Sequence, residues 1–386
     1  MQKILIFTTA FRPFIGGSEL AIEETVKRLP NFFFEIITPK IKKSLPNEEL
    51  GSNFRINRIG GAGLILDKFL FPINGFLYSR KFLSAYGGKN IIVHAYQASH
   101  GAGAAWLVKI FYPKTTFILT LQEGKDPKKQ GILINFFRKL IIWKTDRATA
   151  ISTYLRAYLL SVRKDLPVSL IPNGVNVDSF SRQFSYGDTA DLEKKLGIQP
   201  DDKVIVSASR FVPKNGLDLL IKALALIKEK NPSTVYKLIL VGDAPPGEGQ
   251  HKEKLELLVS EHNLRENVIF AGSVEHEELP LYLKISDVFV RPSRSEGLGS
   301  AFLEAMAAGV PIIGTRVGGI PDFLEDRKTG LFCSWEPEDI AFKMRIIFEN
   351  DKLKQELINN ARELVKDKYS WDAIAQKFDE LYNEII

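Results

Sequence analysis

Residues 293–322 read Ser293-Arg-Ser-Glu296-Gly-Leu-Gly299-Ser-Ala-Phe-Leu-Glu304-Ala-Met-Ala-Ala-Gly309-Val-Pro-Ile-Ile-Gly-Thr-Arg-Val-Gly318-Gly-Ile-Pro-Asp322. The small and apolar residues over 301–308 fall at helical spacing, and the glycines before them make a loop that feeds the helix N-terminus. Unpaired backbone N–H groups at such an end, backed by the helix dipole, suit a phosphate, and glycine lets the ligand come close to the backbone. A short apolar run over 312–313 reads as a strand, and a second glycine loop follows it.

Glu304 falls one turn into the helix, facing the same pocket, where a carboxylate can accept from the two hydroxyls of a ribose. Glu296 lies on the loop side. If all intervening residues were helical, the two backbones would stand roughly 12 Å apart. The carboxyl groups of a glycosidase lie within about 5 to 9.5 Å, so two ends of one long ligand is the reading that the spacing favours. The plain alternative is an amphipathic helix with two surface glutamates.

The stretch resembles the glutamate motif of retaining glycosyltransferases of family four, which have the two-domain GT-B fold. The resemblance rests on Ser295-Glu296-Gly297-Leu298-Gly299, on Leu303-Glu304-Ala305-Met306-Ala307-Ala308-Gly309, and on Pro311 with Gly318-Gly319-Ile320-Pro321. It implies that Glu296 contacts a donor sugar, that Glu304 takes the ribose, and that Gly297, Leu298 and Gly299 offer the diphosphate their amides.

Apolar runs at 4–7, 91–93, 117–121, 204–206, 238–241, 268–270, 288–290 and 312–313 alternate with longer helical patterns. Such alternation predicts α/β architecture with parallel sheets covered by helices on both faces. The chain is long enough for two domains. The turn-forming stretch from Ile171 to Asp188 reads as a crossing linker, which sets the boundary near residue 180. The expected fold is therefore GT-B, two Rossmann-like doubly wound domains facing a cleft. Residues 1–180 would bind the acceptor and 181–370 the nucleotide-sugar donor, with the helix over 371–386 packing back on the first domain as the resemblance implies.

Ligands of doubly wound sheets bind beyond the carboxyl ends of the strands, so loops after strands hold the remaining candidates. After the first strand, Gly16 and Gly17 precede a helix starting near Ser18; their amides could meet the donor, or Ser18 could simply cap the helix. Arg210, Lys214 and Asn215 follow the strand at 204–206, where an Arg and a Lys can clamp a diphosphate and stabilise the departing nucleotide. The family usually has its lysine five residues after the arginine, the position of Asn215, so Lys214 and Asn215 are both candidates. Backbone atoms near Val274 would read the base. On the acceptor side stand His94, which could equally be structural, and Gln122. Family members commonly have a histidine at the position of Gln122; glutamine can hydrogen-bond a sugar but cannot act as a general base.

The charge is uneven. Residues 1–180 hold 25 Lys+Arg against 12 Asp+Glu, net +13, which leaves 27 against 34, net −7, for the rest. A basic half suits an anionic membrane surface, an acidic substrate or nucleic acid, although no nucleic-acid motif accompanies it. The stretch over 127–144 mixes bulky apolar with basic residues and could lie in a membrane interface, or form a core helix with basic ends. The only cysteine, Cys333, excludes an internal disulfide and a cysteine-rich zinc site, which agrees with a reducing compartment. The N-terminal run is too short for a signal peptide and reads as a strand, and no stretch reaches the length of a membrane span. The expected location is the cytoplasm, as a soluble or peripheral protein.

The resemblance implies a metal-independent, retaining transfer from a UDP- or GDP-sugar to a glycan or lipid-linked acceptor in polysaccharide or glycolipid synthesis. No Asp-x-Asp occurs, and no metal or other cofactor is expected. Alternatives are a phosphorylase or sucrose-synthase-like enzyme acting on a soluble sugar, and a non-catalytic nucleotide-sugar-binding partner.

Overall fold

Each of the eight apolar runs becomes a strand that pairs in parallel, and six further strands complete two sheets. The computed structural model describes residues 2–13, 16–61, 64–85, 91–124 and 130–386. The chain divides into two compact units, Met1–Gly174 with Trp371–Ile386, and Val175–Ser370.

In the first unit the strands are β1 (Gln2–Phe7), β2 (Phe32–Pro39), β3 (Glu48–Leu50), β4 (Phe54–Ile59), β5 (Ile92–Tyr96), β6 (Thr116–Leu121), β7 (Arg147–Ala150) and β8 (Val168–Leu170). They lie in the order β3-β4-β2-β1-β5-β6-β7-β8, parallel except for the antiparallel edge strand β3. The connecting helices are α1 (Gly17–Lys27), α2 (Leu64–Ala85), α3 (His100–Phe111), α4 (Ile132–Lys144) and α5 (Thr153–Val162). Strand β2, whose FFFEIITP run is buried almost throughout, lies next to β1 in the sheet.

The second unit begins with α6 (Val177–Ser181), inside the stretch expected to be a linker, and α7 (Tyr186–Leu196), which starts at its end. The boundary falls at Gly174, ahead of the expected residue 180, because Val175 N–H donates to Tyr369 O at 2.8 Å and bridges to Ser370. Its turn formers are helix caps: Asn176 accepts from Ser179 N, and Ser185 with Asp188 forms a capping box. Six parallel strands follow: β9 (Lys203–Ala208), β10 (Tyr236–Val241), β11 (Val268–Gly272), β12 (Val288–Arg291), β13 (Ile312–Thr315) and β14 (Leu331–Cys333). Their order is β11-β10-β9-β12-β13-β14, so the winding reverses between β9 and β12, the place where doubly wound sheets bind ligands. The helices of this unit are α8 (Leu217–Lys230), α9 (Gln250–Glu261), α10 (Leu279–Lys284), α11 (Ser300–Ala308), α12 (Pro337–Glu349) and α13 (Asp351–Lys368).

The last helix, α14 (Trp371–Asn383), is built into the first unit. Trp371, Ile374, Phe378, Leu381 and Tyr382 are buried in one cluster with Ile4, Ile6, Phe34 and Ile118. Phe378→Ala removes a ring that is 3% exposed and is expected to cost about 3–5 kcal/mol by lost burial and the cavity left behind. Urea unfolding monitored on the first unit measures it.

His94 belongs to this core. It lies within β5, fully buried, with Nδ1 2.7 Å from Tyr382 Oη and Nε2 2.6 Å from Thr120 Oγ1, which in turn lies 2.6 Å from Thr149 Oγ1. The expected sugar-side role is therefore corrected: both ring nitrogens are engaged inside the sheet. Burial pushes its pKa down to about 3, against about 6.5 in an unfolded chain. Between those values the unfolded state binds one more proton, so stability is retained above pH 6.5 and lost as the pH falls toward 3. Moving from pH 7 to pH 5 should cost about 2 kcal/mol through this group. Urea unfolding of His94→Gln, which lacks the titrating ring, should show a smaller loss by that amount. An equal pH dependence in both chains would count against the assignment.

Candidate active site

The site is built where the sheet of the second unit reverses. The loops after β9 and β12 are fastened together: Arg294 N–H donates to Lys214 O at 2.7 Å, and its guanidinium donates to Pro213 O at 2.7 Å and to both carboxylate oxygens of Asp218 at 2.9 and 2.7 Å. The glycine loops also touch at backbone level. Gly318 has φ +54°, and a Cβ there would stand 1.8 Å from Glu296 O, so only glycine fits without moving the loop.

Glu296 stands at the centre of this arrangement with its side chain 10% exposed. Arg291 Nη2 lies 2.8 Å from its Oε1, Lys214 Nζ lies 3.9 Å from Oε2, and Ser293 Oγ lies 3.5 Å from Oε1. Arg291 ends β12 and is itself 5% exposed; it donates to Ala208 O at 3.2 Å and lies 4.7 Å from the centre of the Phe302 ring. A buried carboxylate requires a paired, hydrogen-bonded cation, and this arginine supplies it. Reading the strand as 288–290 hid Arg291; the signal was a charge directly following Val288-Phe-Val290 in a buried strand.

Gly299 takes φ +103° and ends the loop as the N-cap of α11 without a side-chain cap. Leu298 is 2% exposed and its neighbours Gly297 and Gly299 are buried, so its side chain anchors the loop.

A hollow of about 400 Å³ lies beside these loops, lined by Ser209, Arg210, Val274, His276, Ala301 and Glu304 among others. Glu304 lies on α11 as the helical spacing predicts, and His276 Nε2 donates to its Oε1 at 3.0 Å. Sequence reading missed His276, which sits two residues past Val274 in the loop after β11. The Ser209 hydroxyl, just past β9, is buried with no hydrogen-bond partner among the described residues. Arg210 lines the hollow with an exposed side chain. A larger hollow of about 720 Å³ lies on the same unit around Arg316, Asp326 and Lys368, but it contains neither a glycine loop nor residues from the reversal point.

Lys214 and Asn215 differ in their contacts. Asn215 is 4% exposed and donates Nδ2–H to Arg210 O at 2.6 Å, so it shapes the loop, whereas Lys214 points its ammonium at Glu296. Asn215 as a donor-binding side chain is therefore corrected.

In the first unit, Gly16 rather than Ser18 caps α1, and Gly16 and Gly17 are exposed. Ser18 is buried and its hydroxyl bonds Glu19 at 3.0 Å. Gln122 is 9% exposed and donates to Asn173 Oδ1 at 2.9 Å, which ties the loop after β6 to the segment ahead of the crossing. His94, as described above, lies in the core. Residues 127–129 of the apolar and basic stretch lie outside the described residues; its remainder includes α4.

Removing the buried cation leaves Glu296 with the more distant Lys214. Arg291→Leu is expected to lower stability by roughly 3–5 kcal/mol, and Glu296→Gln in the same chain should recover part of it. A coupling of roughly 0.5–3 kcal/mol in a double-mutant cycle, read by denaturant unfolding, is the expected result; strict additivity would remove Arg291 from the account of Glu296.

Comparison with known proteins follows the same lines. Residues 188–364 match the family described as Glycosyl transferases group 1. The whole chain aligns at 28% identity with an uncharacterised glycosyltransferase of Methanocaldococcus jannaschii, covering 100% of this chain and 99% of that one. Over 246 residues it is 30% identical to another from the same organism, spanning 61% of that protein's length. It is 32% identical over 244 residues to the GDP-mannose-dependent alpha-(1-6)-phosphatidylinositol monomannoside mannosyltransferase of Mycobacterium tuberculosis, spanning 60% of each chain. Among solved structures, sucrose-phosphate synthase of Thermosynechococcus elongatus superposes with a TM-score of 0.85 at 23% identity, covering 100% of this chain and 99% of that one. Anabaena HepE in complex with UDP-glucose gives 0.81 at 18%, with both chains covered in full. These neighbours are GT-B glycosyltransferases, and two parallel-sheet α/β units are their architecture. The matched stretch contains the reversal-point loops and the helix-borne glutamate, so the likeness to glycosyl transferases group 1 rests on the second unit, where the site is built.

Proposed function

We propose that the chain transfers a sugar from a nucleoside-diphosphate sugar, of the UDP or GDP class, to a glycan or lipid-linked acceptor with retention of anomeric configuration. The observation that carries this reading is the reversal-point constellation, in which Glu296 is held by Arg291 and Lys214 beside a hollow bearing Arg210, Glu304 and His276. In this reading the base lies near the backbone at Val274 and the ribose hydroxyls donate to Glu304, whose carboxylate His276 already orients. The diphosphate meets Arg210, Lys214 and the amides of Gly297, Leu298 and Gly299, and needs no metal to balance its charge.

The reaction follows from where charge develops. The bond from the anomeric carbon to the diphosphate oxygen breaks, positive charge grows on the sugar ring, and negative charge grows on the leaving phosphate. Arg210 and Lys214 stabilise that phosphate, and Glu296 positions the sugar. The acceptor hydroxyl attacks on the face the diphosphate leaves, and its proton passes to a leaving phosphate oxygen. Gly16, Gly17 and Gln122 of the first unit fall to the acceptor and sugar side, Gln122 as a hydrogen-bonding group. The reading places the protein in the cytoplasm, working peripherally at a membrane in polysaccharide or glycolipid synthesis.

The test is thermal unfolding with UDP-, GDP-, ADP- and dTDP-sugars on the native chain and on Glu304→Ala. One nucleotide should stabilise the native chain by about 2.7 kcal/mol at a hundredfold excess over its Kd, and Glu304→Ala should lose most of that gain. Silence from every nucleotide would sink the proposal.

A further inference from the structure

The first unit carries an apolar face that its own core does not use. On α2 the residues Leu66, Phe69, Leu70, Ile73 and Leu77 recur at helical spacing and are 40–66% exposed. A surface helix normally turns such a stripe inward; here it faces out. Helix α3 packs against α2 and also against α4. It continues the surface through Phe111, 64% exposed, whose ring lies 5.0 Å from that of Phe76 on α2. On α4, Ile132 is 91%, Leu133 68% and Phe137 55% exposed. Near its C-terminal end, Trp143 is 60% exposed. An isolated exposed leucine needs no explanation, but large apolar side chains exposed together on three neighbouring helices mark an interaction site.

Charge decides between occupants. The three helices together contain Lys68, Arg80, Lys81, Lys109, Arg138, Lys139 and Lys144 against one carboxylate, Asp67. Asp67 is 3% exposed and accepts from Gly61 N–H at 3.0 Å, so it adds nothing to the surface. Arg80, Lys81, Lys139 and Lys144 are exposed among the apolar side chains. A second copy of this chain would bring the same positive face against itself and be repelled. Apolar side chains that enter an acyl boundary, interleaved with cations that reach anionic headgroups, match a negatively charged lipid surface. Among the described residues no helix is long and apolar enough to cross a membrane, so the contact is made at the surface.

We infer that the outer face of α2, α3 and α4 docks the first unit onto an anionic bilayer. The inference deepens the membrane-side acceptor reading and rests on it for its purpose, but its test uses no sugar nucleotide, so failure here and failure of the donor site are read separately.

The experiment is co-sedimentation of the full chain with vesicles of phosphatidylcholine alone and of phosphatidylcholine mixed with phosphatidylglycerol. Recovery should favour the anionic vesicles by about tenfold or more and fall as salt is raised. Phe137→Glu combined with Leu133→Glu should reduce anionic binding by about tenfold. Lys139→Glu with Lys144→Glu should abolish the preference for anionic lipid; both lysines are exposed, so this pair reports even where the apolar pair alters folding. Equal recovery on both vesicle types, or none on either, overturns the inference. So does a concentration-dependent dimer in sedimentation velocity that Phe137→Glu dissociates, because it would give the face to a second copy.

Discussion

The Arg291–Glu296 pair governs the geometry of the second unit's site. A carboxylate withdrawn from water loses hydration that only close, well-oriented donors replace. Arg291 can replace it because it is the last residue of β12, fixed by parallel pairing to β13 at Gly314 and by its own bond to Ala208 O. The position of Glu296 is thus set by the sheet rather than by the loop that carries it. The same strand end places Ser293, whose carbonyl accepts from Thr315 Oγ1 and Trp335 Nε1 at 3.1 Å in the latter case. Two neighbouring strand ends and the loop after β9 therefore share one network, and a shift in any of them moves the carboxylate.

The backbone makes this closeness possible. Gly216, at φ +71°, lets α8 start against Pro292 O, where a Cβ would stand 2.1 Å away. With the loops after β9 and β12 so near, Lys214 reaches Glu296, and Arg294 can tie Pro213 and Asp218 to its own strand end. Lys214, Arg291 and Arg294 thus gather at one place in a unit whose share of the chain is net acidic. Local arrangement outweighs overall charge, because an ion pair's strength depends on distance and desolvation, not on the sum over the surface.

How far the sequence revealed this follows from what each residue's environment demands. Parallel strands buried on both faces appear as plain apolar runs, so eight were legible, as was α11 with its flanking glycines. Strand β2 has an equally apolar sequence and could have been read; β3, β4, β7, β8 and β14 are short or contain Arg, Asn, Thr and Ser, and tertiary pairing defines them. The crossing at Gly174 depended on Val175 pairing with Ser370, a contact almost two hundred residues away in sequence and invisible to any local window. The roles of Arg291, His276 and Asn215 were equally hidden. Arg291 and His276 are fixed by partners in other segments, Ala208 and Glu304, and Asn215 by a turn of its own loop back to Arg210 O; nothing in a lone Arg, His or Asn announces such a partner.

His94 and the apolar stripe of α2 show the opposite failures of local reading. A histidine after an apolar run suggests chemistry, yet the hydroxyls of Tyr382 and Thr120 engage both ring nitrogens, so a neutral imidazole is buried with its polar atoms paired. Helical apolar spacing on α2 suggests a core-facing side, yet Phe71, Gly75 and Ser79 already fill the inward positions, Phe71 and Ser79 completely buried. The stripe at Leu66, Phe69, Ile73 and Leu77 is therefore a second apolar side of the same helix. Folding of the first unit accounts for one of the two sides. The other exposes apolar area to water with no gain to the isolated chain, and the absence of any exposed carboxylate on the three described helices leaves it suited to a partner that is both apolar and negative.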